Sequence, residues 1–212
     1  TLERMSLLIL EHLRWLCSLV SLIMINEPGI HKIMCGRFTL TNKKAVKEKI
    51  GVDIEASFNV APSHSILILK PKPKIVPWGL SPIWAKKPLN LINARIETLN
   101  EKPAFADTLP CLIVTDGWYE WKKSNTSKKI PFYFHNGGKI LYMAGICNET
   151  GCAIITKAAS PEIANIHHRQ PVLLNKSGRT AWVKQSNIKP EHHYNNIYCR
   201  RVGLFVNSPK FN

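Results

Sequence analysis

Short alternating runs of apolar and polar residues dominate the chain, and long 3.6-residue periodicity is rare. Gly36–Leu40 (GRFTL) reads as a strand, and Thr41 is placed to cap a helix over Asn42–Ile50 that stops at Gly51. Ser65–Lys70 (SILILK) and Lys74–Trp78 are strand-like runs on either side of the breaker Pro71-Lys72-Pro73. Cys111–Thr115 and Trp118–Trp121 are predicted strands around the turn Asp116-Gly117. Pro131–His135 and Lys139–Cys147 flank Asn136-Gly137-Gly138, whose Asn-Gly step favours the positive φ values of a type I′ hairpin. Cys152–Lys157, Pro171–Leu174 and Ile197–Val206 complete the strands, and Lys102–Leu109, Pro161–Ile166 and Ser177–Gln185 are short helical pieces. With no repeat and no βαβ alternation, the pattern predicts a β-rich α+β fold, its sheet curved or barrel-like with short peripheral helices.

The first 33 residues read differently. Leu7–Ile25 (LLILEHLRWLCSLVSLIMI) is long enough for a membrane helix but contains Glu11, His12 and Arg14. A charge at mid-bilayer depth costs about 2.5–3.5 kcal/mol on insertion scales, which makes a poor free-standing span. A signal sequence needs a basic start and a small-residue cleavage site; Glu3 and Arg4 cancel, and Asn26-Glu27-Pro28-Gly29 offers no such site. Residues 1–33 are therefore read as upstream translation or an uncleaved leader outside the fold, with the start at Met34 and one domain over 34–212. A membrane or signal element and a packed helix are the alternatives. No membrane association is expected of the 34–212 body, which reads as intracellular and cytoplasmic.

Charge sharpens this division. The chain of 212 residues carries 29 Lys+Arg against 14 Asp+Glu, a formal charge of +15. The leader holds Arg4, Arg14 and Lys32 against Glu3, Glu11 and Glu27, so the whole excess lies in the body. A polyanion is the partner such a surface favours. The six cysteines include no Cys-x-x-Cys pair, and no zinc-site spacing is present. Reduced thiols packed as small hydrophobes are expected, and neither a metal nor an organic cofactor is called for.

Four clusters carry candidate chemistry. If Met34 initiates and is removed, Cys35 acquires a free α-amine beside its thiol. With reference values of about 7.7–8.0 and about 8.5, both groups are accessible as nucleophiles near neutral pH. The amine can attack an aldehyde to give an imine, and the thiolate can then close a thiazolidine; or else Cys35 is a buried cysteine at a strand start. In Asp116–Trp121 (DGWYEW), alternation places Trp118 and Glu120 on one face, with Tyr119 and Trp121 on the other. A carboxyl among aromatics is a proton donor with a raised pKa, or else the strand is amphipathic and Glu120 faces solvent. Ile166–Pro171 (IHHRQP) joins a short helix to a strand and offers acid–base or phosphate contacts, or structural histidines. Trp78–Lys87 (WGLSPIWAKK) and Asn93–Thr98 (NARIET) interleave Trp, Lys and Arg, which suits single-stranded nucleic acid, or core tryptophans beside solvated lysines.

Met34–Phe38, Phe58–Ser63, Trp78–Lys87, Asn93–Thr98, Glu101–Phe105, Asp116–Trp121, Ile155–Ser160 and Ile166–Leu174, in that order, resemble the SOS-response-associated peptidase (SRAP) family. Proteins of that family crosslink to abasic sites in single-stranded DNA in the DNA damage response. The resemblance implies a β-rich fold with a basic groove, a monomer, and no metal or organic cofactor. It implies Cys35 as the nucleophile that forms a thiazolidine with the ring-opened sugar. Glu120 and His167 would move protons, and Asn93 would orient the reacting groups. Arg37 and Arg95 would hold flanking phosphates, and Trp78, Trp84 and Pro62 would shape the DNA channel and stack on bases. The peptidase label refers to release of residues ahead of the cysteine, a hydrolase activity beside the lyase-like crosslinking. A cysteine peptidase using Cys35, His167 and Glu120, and a non-covalent single-strand binder, are the competing functions. His168 stands where family members often carry an acidic residue, and the resemblance is weak after about Arg179.

Overall fold

The structure, a computed structural model, describes residues 35–124, 129–185 and 188–208; the assignment of 1–33 as a leader lies outside the described residues. The strands are β1 Arg37–Leu40, β2 Ser57–Val60, β3 Ser65–Lys70, β4 Lys72–Pro77, β5 Asn93–Arg95 and β6 Leu109–Thr115. They continue with β7 Gly117–Lys122, β8 Ile130–His135, β9 Leu141–Cys147, β10 Cys152–Ala158, β11 Arg169–Pro171 and β12 Tyr198–Arg201. Among the described residues, three short α-helices, α1 Lys43–Ile50, α2 Pro161–Ala164 and α3 Lys176–Val183, accompany them. This is the β-rich α+β composition expected. No helix among the described residues is long and apolar enough to cross a membrane.

The strands form two sheets, and neither closes into a barrel. A five-stranded antiparallel sheet runs β12-β8-β7-β1-β2. A seven-stranded sheet runs β11-β10-β9-β6-β3-β4, with β5 parallel to β10. The two share one core: Phe38, Trp118 and Phe134 of the first pack with Ile66, Ile68, Ile113, Met143 and Ile154 of the second. Trp118 and Phe134 stack with ring centroids 4.9 Å apart. Alternate residues of the larger sheet face the other way, where Leu112, Ala144, Ile146 and Ile155 meet Trp182 of α3. Leu67 and Val114 pack with Val46 of α1. The larger sheet is thus buried on both faces, which is why β6 reads as a continuous apolar run.

The chain passes between sheets at Asp116. β6 ends at Thr115 and β7 starts at Gly117, where a Cβ would lie 2.3 Å from the Tyr133 hydroxyl oxygen. Buried Asp116 accepts hydrogen bonds at Oδ2 from Thr41 N (2.6 Å), Thr41 Oγ1 (2.8 Å) and Asn42 N (2.9 Å). Thr41 is therefore committed to this corner, and the cap of α1 falls to Asn42, whose Oδ1 accepts from Ala45 N at 3.0 Å. Gly51 closes that helix in the left-handed conformation expected, at φ 80°.

Several local expectations are corrected. Gly137 and Gly138 take φ of 57° and 77°, and Lys139 N donates to Asn136 O at 3.0 Å. That is a turn of the predicted hand, one residue later in the chain. It does not make a β8–β9 hairpin, because β8 pairs with β7 and β12 while β9 pairs with β6 and β10. The helix predicted over Lys102–Leu109 is instead a 3-10 turn at Pro103–Phe105, and Leu109 already belongs to β6. The run Ile197–Val206 is a strand only to Arg201 and becomes a 3-10 turn at Leu204–Asn207.

Candidate active site

Cys35 lies just ahead of β1, fully buried, in the inter-sheet core with Phe38, Trp78, Ile154 and Ile163. Its φ of 38° is unusual for a residue with a side chain, and such outliers concentrate at functional sites. β1 and β7 pair antiparallel, with Arg37 opposite Tyr119 and Phe38 opposite Trp118. This register brings the residues ahead of β1 beside Glu120. The Cys35 backbone N–H donates to Glu120 Oε1 at 2.9 Å.

The alternation expected of β7 places Glu120 inward beside Trp118, with 1% of its surface exposed. A solvent-facing Glu120 is thereby excluded. Burial pushes its pKa up to about 8, against a smaller downward pull from the Cys35 N–H. Near neutral pH the carboxyl is therefore mostly protonated and able to donate. Burial, and secondarily the Glu120 charge, push the Cys35 thiol well above its ordinary value.

His167 enters from the other sheet, on the turn between α2 and β11. Its Nδ1 lies 3.8 Å from Glu120 Oε2, too far for a hydrogen bond but close enough for charge coupling. The same nitrogen is 3.2 Å from Arg169 N and 3.1 Å from Arg169 O. One residue thus offers a donor when Nδ1 is bare and an acceptor when it is protonated, so His167 can change protonation without turning its ring. Arg169 is itself fixed, 8% exposed: it grips Glu97 with two hydrogen bonds (2.7 and 2.8 Å) and Thr156 O with a third (2.7 Å). The hydrogen bond from Arg169 holds the Glu97 carboxyl down at about 2.

The remaining predicted residues are spread more widely. Asn93 opens β5 opposite Ile154 of β10, and Arg95 is exposed opposite Thr156, so the two share the face of β5 away from buried Ala94. Arg37 alternates with Phe38 and so leaves β1 on the face opposite the core. There its Nη1 donates to Asn59 Oδ1 (2.9 Å) and Val206 O (2.8 Å). Pro62 is half-buried in a turn whose Ser63 N donates to Trp78 O at 2.7 Å. Trp84 is 59% exposed, so much of its side chain is open to a ligand. Trp78 is different. It is fully buried and its indole N–H donates to Ile92 O at 2.9 Å, so it supports the site from beneath and presents no face to a base.

Asn59, Glu97 and Arg169 lie inside the quoted motifs but received no role from sequence alone. Asn59 is buried in a four-residue strand, and the Glu97–Arg169 pair spans 72 residues. Only tertiary partners, which a single sequence does not display, distinguish these residues from ordinary surface polar groups: Arg37 and Ser208 for Asn59, and the pairing of buried Arg169 with an exposed Glu97. Among the described residues, no group of His, Cys, Asp and Glu is arranged to hold a metal ion.

Comparison with known proteins finds relatives of this chain. The family model for "SOS response associated peptidase (SRAP)" matches residues 34–208. The chain is 32% identical over 216 aligned positions to the abasic site processing protein YoqW of Bacillus subtilis, covering 84% of this chain and 96% of that one. It is 30% identical over 179 positions to the abasic site processing protein YedK of Escherichia coli, covering 72% and 80%. It is 26% identical over 180 positions to the abasic site processing protein HMCES of Xenopus tropicalis, covering 64% and 53%. A crystal structure of a protein from Bacteroides thetaiotaomicron superposes with a TM-score of 0.65 at 22% identity, covering 82% of this chain and 96% of that one. That likeness concerns the fold.

Proposed function

The chain belongs to the SOS response associated peptidase family, and we propose on that premise that it captures abasic sites in single-stranded DNA covalently through Cys35. The observation that carries the proposal is the 2.9 Å hydrogen bond from the Cys35 nitrogen to a buried carboxyl whose pKa stands near 8. Similarity to proteins named for abasic site processing supports the choice of substrate. The acting domain is 34–212, working as a monomer.

In the chain as written, the Cys35 nitrogen is the amide after Met34. Translation from Met34 with removal of that residue, or hydrolysis of the Met34–Cys35 bond, leaves an amine at the same place. In a hydrolysis, protonated Glu120 lies within reach of the departing nitrogen, which accounts for the peptidase label. Once free, the amine adds to the aldehyde of the ring-opened sugar. The carbinolamine then loses water as Glu120 gives its proton to the leaving hydroxyl. The Cys35 thiol passes its proton to the Glu120 carboxylate, and the sulfur adds to the imine carbon to close a thiazolidine. His167 exchanges that proton with the surroundings through Nδ1, assisting closure and reversal. Asn93 orients the reacting groups. Arg37 and Arg95 hold flanking phosphates, while Trp84 stacks on a base and Pro62 shapes its path.

A general cysteine peptidase is disfavoured by the same electrostatics. Thiolate attack on a peptide requires the sulfur to be stabilised as an anion, whereas burial and Glu120 oppose ionisation of Cys35.

The test is to incubate protein produced from Met34 with an abasic single-stranded oligonucleotide and separate the products after heating. A heat-stable shifted band is expected, with a mass equal to protein plus DNA minus one water. Cys35→Ser should lose the stable adduct. Absence of the band from wild-type protein, at low salt and with Met34 shown to be gone by intact mass, would overturn the proposal.

A further inference from the structure

Arg37, Asn59 and Trp121 stand on β1, β2 and β7, neighbouring strands of the five-stranded sheet, and all three reach the same stretch after β12. Arg37 Nη1 donates to Val206 O at 2.8 Å and to Asn59 Oδ1 at 2.9 Å. Asn59 Nδ2 donates in turn to Ser208 O at 2.8 Å. Trp121 Nε1 donates to Asn207 Oδ1 at 2.7 Å. Three successive residues therefore dock on three strands by hydrogen bonds. Leu204 and Phe205, the large apolar residues of this turn, are 51% and 73% exposed, so its docking is chiefly polar.

We propose that Asn207 is a positioning residue for DNA binding: it fastens the 204–208 turn to Trp121, and the turn holds the Arg37 guanidinium in its phosphate-gripping pose. The proposal rests on the reading of Arg37 as a phosphate contact. Nη1 is occupied by two protein acceptors, while Nε and Nη2 keep donors for a phosphate. A guanidinium ordered by the fold loses less rotamer freedom on binding than one fixed by the DNA alone. The acceptors at Val206 and Ser208 are main-chain atoms, beyond the reach of substitution. Asn207 holds by its side chain, and it is the point where the turn can be released.

Non-covalent affinity of the full chain for an undamaged single-stranded oligonucleotide, measured across a salt series, tests this. Arg37→Ala should weaken binding and reduce the slope of log K against log salt by about 0.7, the value of one phosphate contact on a single strand. Asn207→Ala should weaken binding by about five- to tenfold, the size of one hydrogen bond expressed through affinity, with the same change in slope. Trp121→Phe, which removes the indole donor while keeping an aromatic ring at the position, should do likewise, and Arg37→Ala combined with Asn207→Ala should bind no worse than Arg37→Ala alone. An unaltered slope in both Asn207→Ala and Trp121→Phe, additive losses in the double variant, or tighter binding on release of the turn would overturn the proposal. If Arg37→Ala itself changes neither affinity nor slope, the proposal falls with its premise, and the failure is assigned to the phosphate contact rather than to the turn.

Discussion

A carboxyl group walled off from water and lacking a close cation keeps its proton well past the pH at which it would lose it in solution. Glu120 is in that position as long as His167 is neutral, and the hydrogen bond from the Cys35 N–H only partly offsets its burial. The consequence for folding has a definite sign. The unfolded chain loses this proton near its ordinary value of 4.5, while the folded chain keeps it to about 8. Across that window the native state binds more protons, so stability falls as pH rises, by at most about 1.4 kcal/mol per pH unit, and levels off above the folded value. Glu120→Gln preserves an acceptor for Cys35 and has no proton to lose. Its urea midpoint should therefore rise relative to that of the wild type between pH 5 and pH 8, inside the window from 4.5 to about 8. Parallel midpoints at all pH values would mean that Glu120 titrates normally. The same substitution removes the proton donor, so crosslinking should slow by about a hundredfold or more, as for loss of a general acid, which single-turnover gels would measure. Crosslinking by the wild type should decline above about pH 8, where the donor ionises.

Elements near the site are fixed as much by close approach as by side-chain preference. Gly79 has φ of 143°, and a Cβ there would stand 1.8 Å from Asn90 Oδ1. Leu80 pairs with Leu91 across an isolated bridge, so Gly79 sets the foot of the loop that displays Trp84. Gly79→Ala should cost about 1–3 kcal/mol by thermal or urea unfolding and weaken single-strand binding in the same variant. Unchanged DNA affinity despite lowered stability would show that the loop's pose is immaterial. Periodicity alone made β6, β7 and β10 legible, because strands buried on one or both faces advertise themselves in apolar residues. β2 (SFNV) and β5 (NAR) were illegible for the opposite reason: they are too short to show a period, and are strands only because β1 and β10 pair with them. Cys35, Glu120 and His167 were found by motif, and the geometry joins them. The burial of Trp78 and the docking of 206–208 depend on tertiary neighbours that no local pattern encodes.

At the scale of the molecule, the proposed hold on a single strand would draw its strength from excess charge, and stacking would decide how much of it survives salt. The formal charge of +15 lies outside residues 1–33. Each phosphate neutralised on a single strand contributes about 0.7 to the slope of log K against log salt. Arg95 is exposed on β5 and lacks a salt-bridge partner among the described residues, so it is available as such a contact. Trp84, 59% exposed, offers an aromatic face whose stacking on a base is worth about 1–3 kcal/mol and is insensitive to counterions. The two substitutions should therefore separate. Arg95→Ala lowers the slope by about 0.7 and its penalty shrinks as salt is raised. Trp84→Ala leaves the slope alone and imposes the same penalty of about 1–3 kcal/mol at every salt concentration. Fluorescence anisotropy of a labelled oligonucleotide from low to moderate salt distinguishes them. A Trp84→Ala penalty that vanishes at high salt would remove stacking from the binding mode and leave the strand held by charge alone.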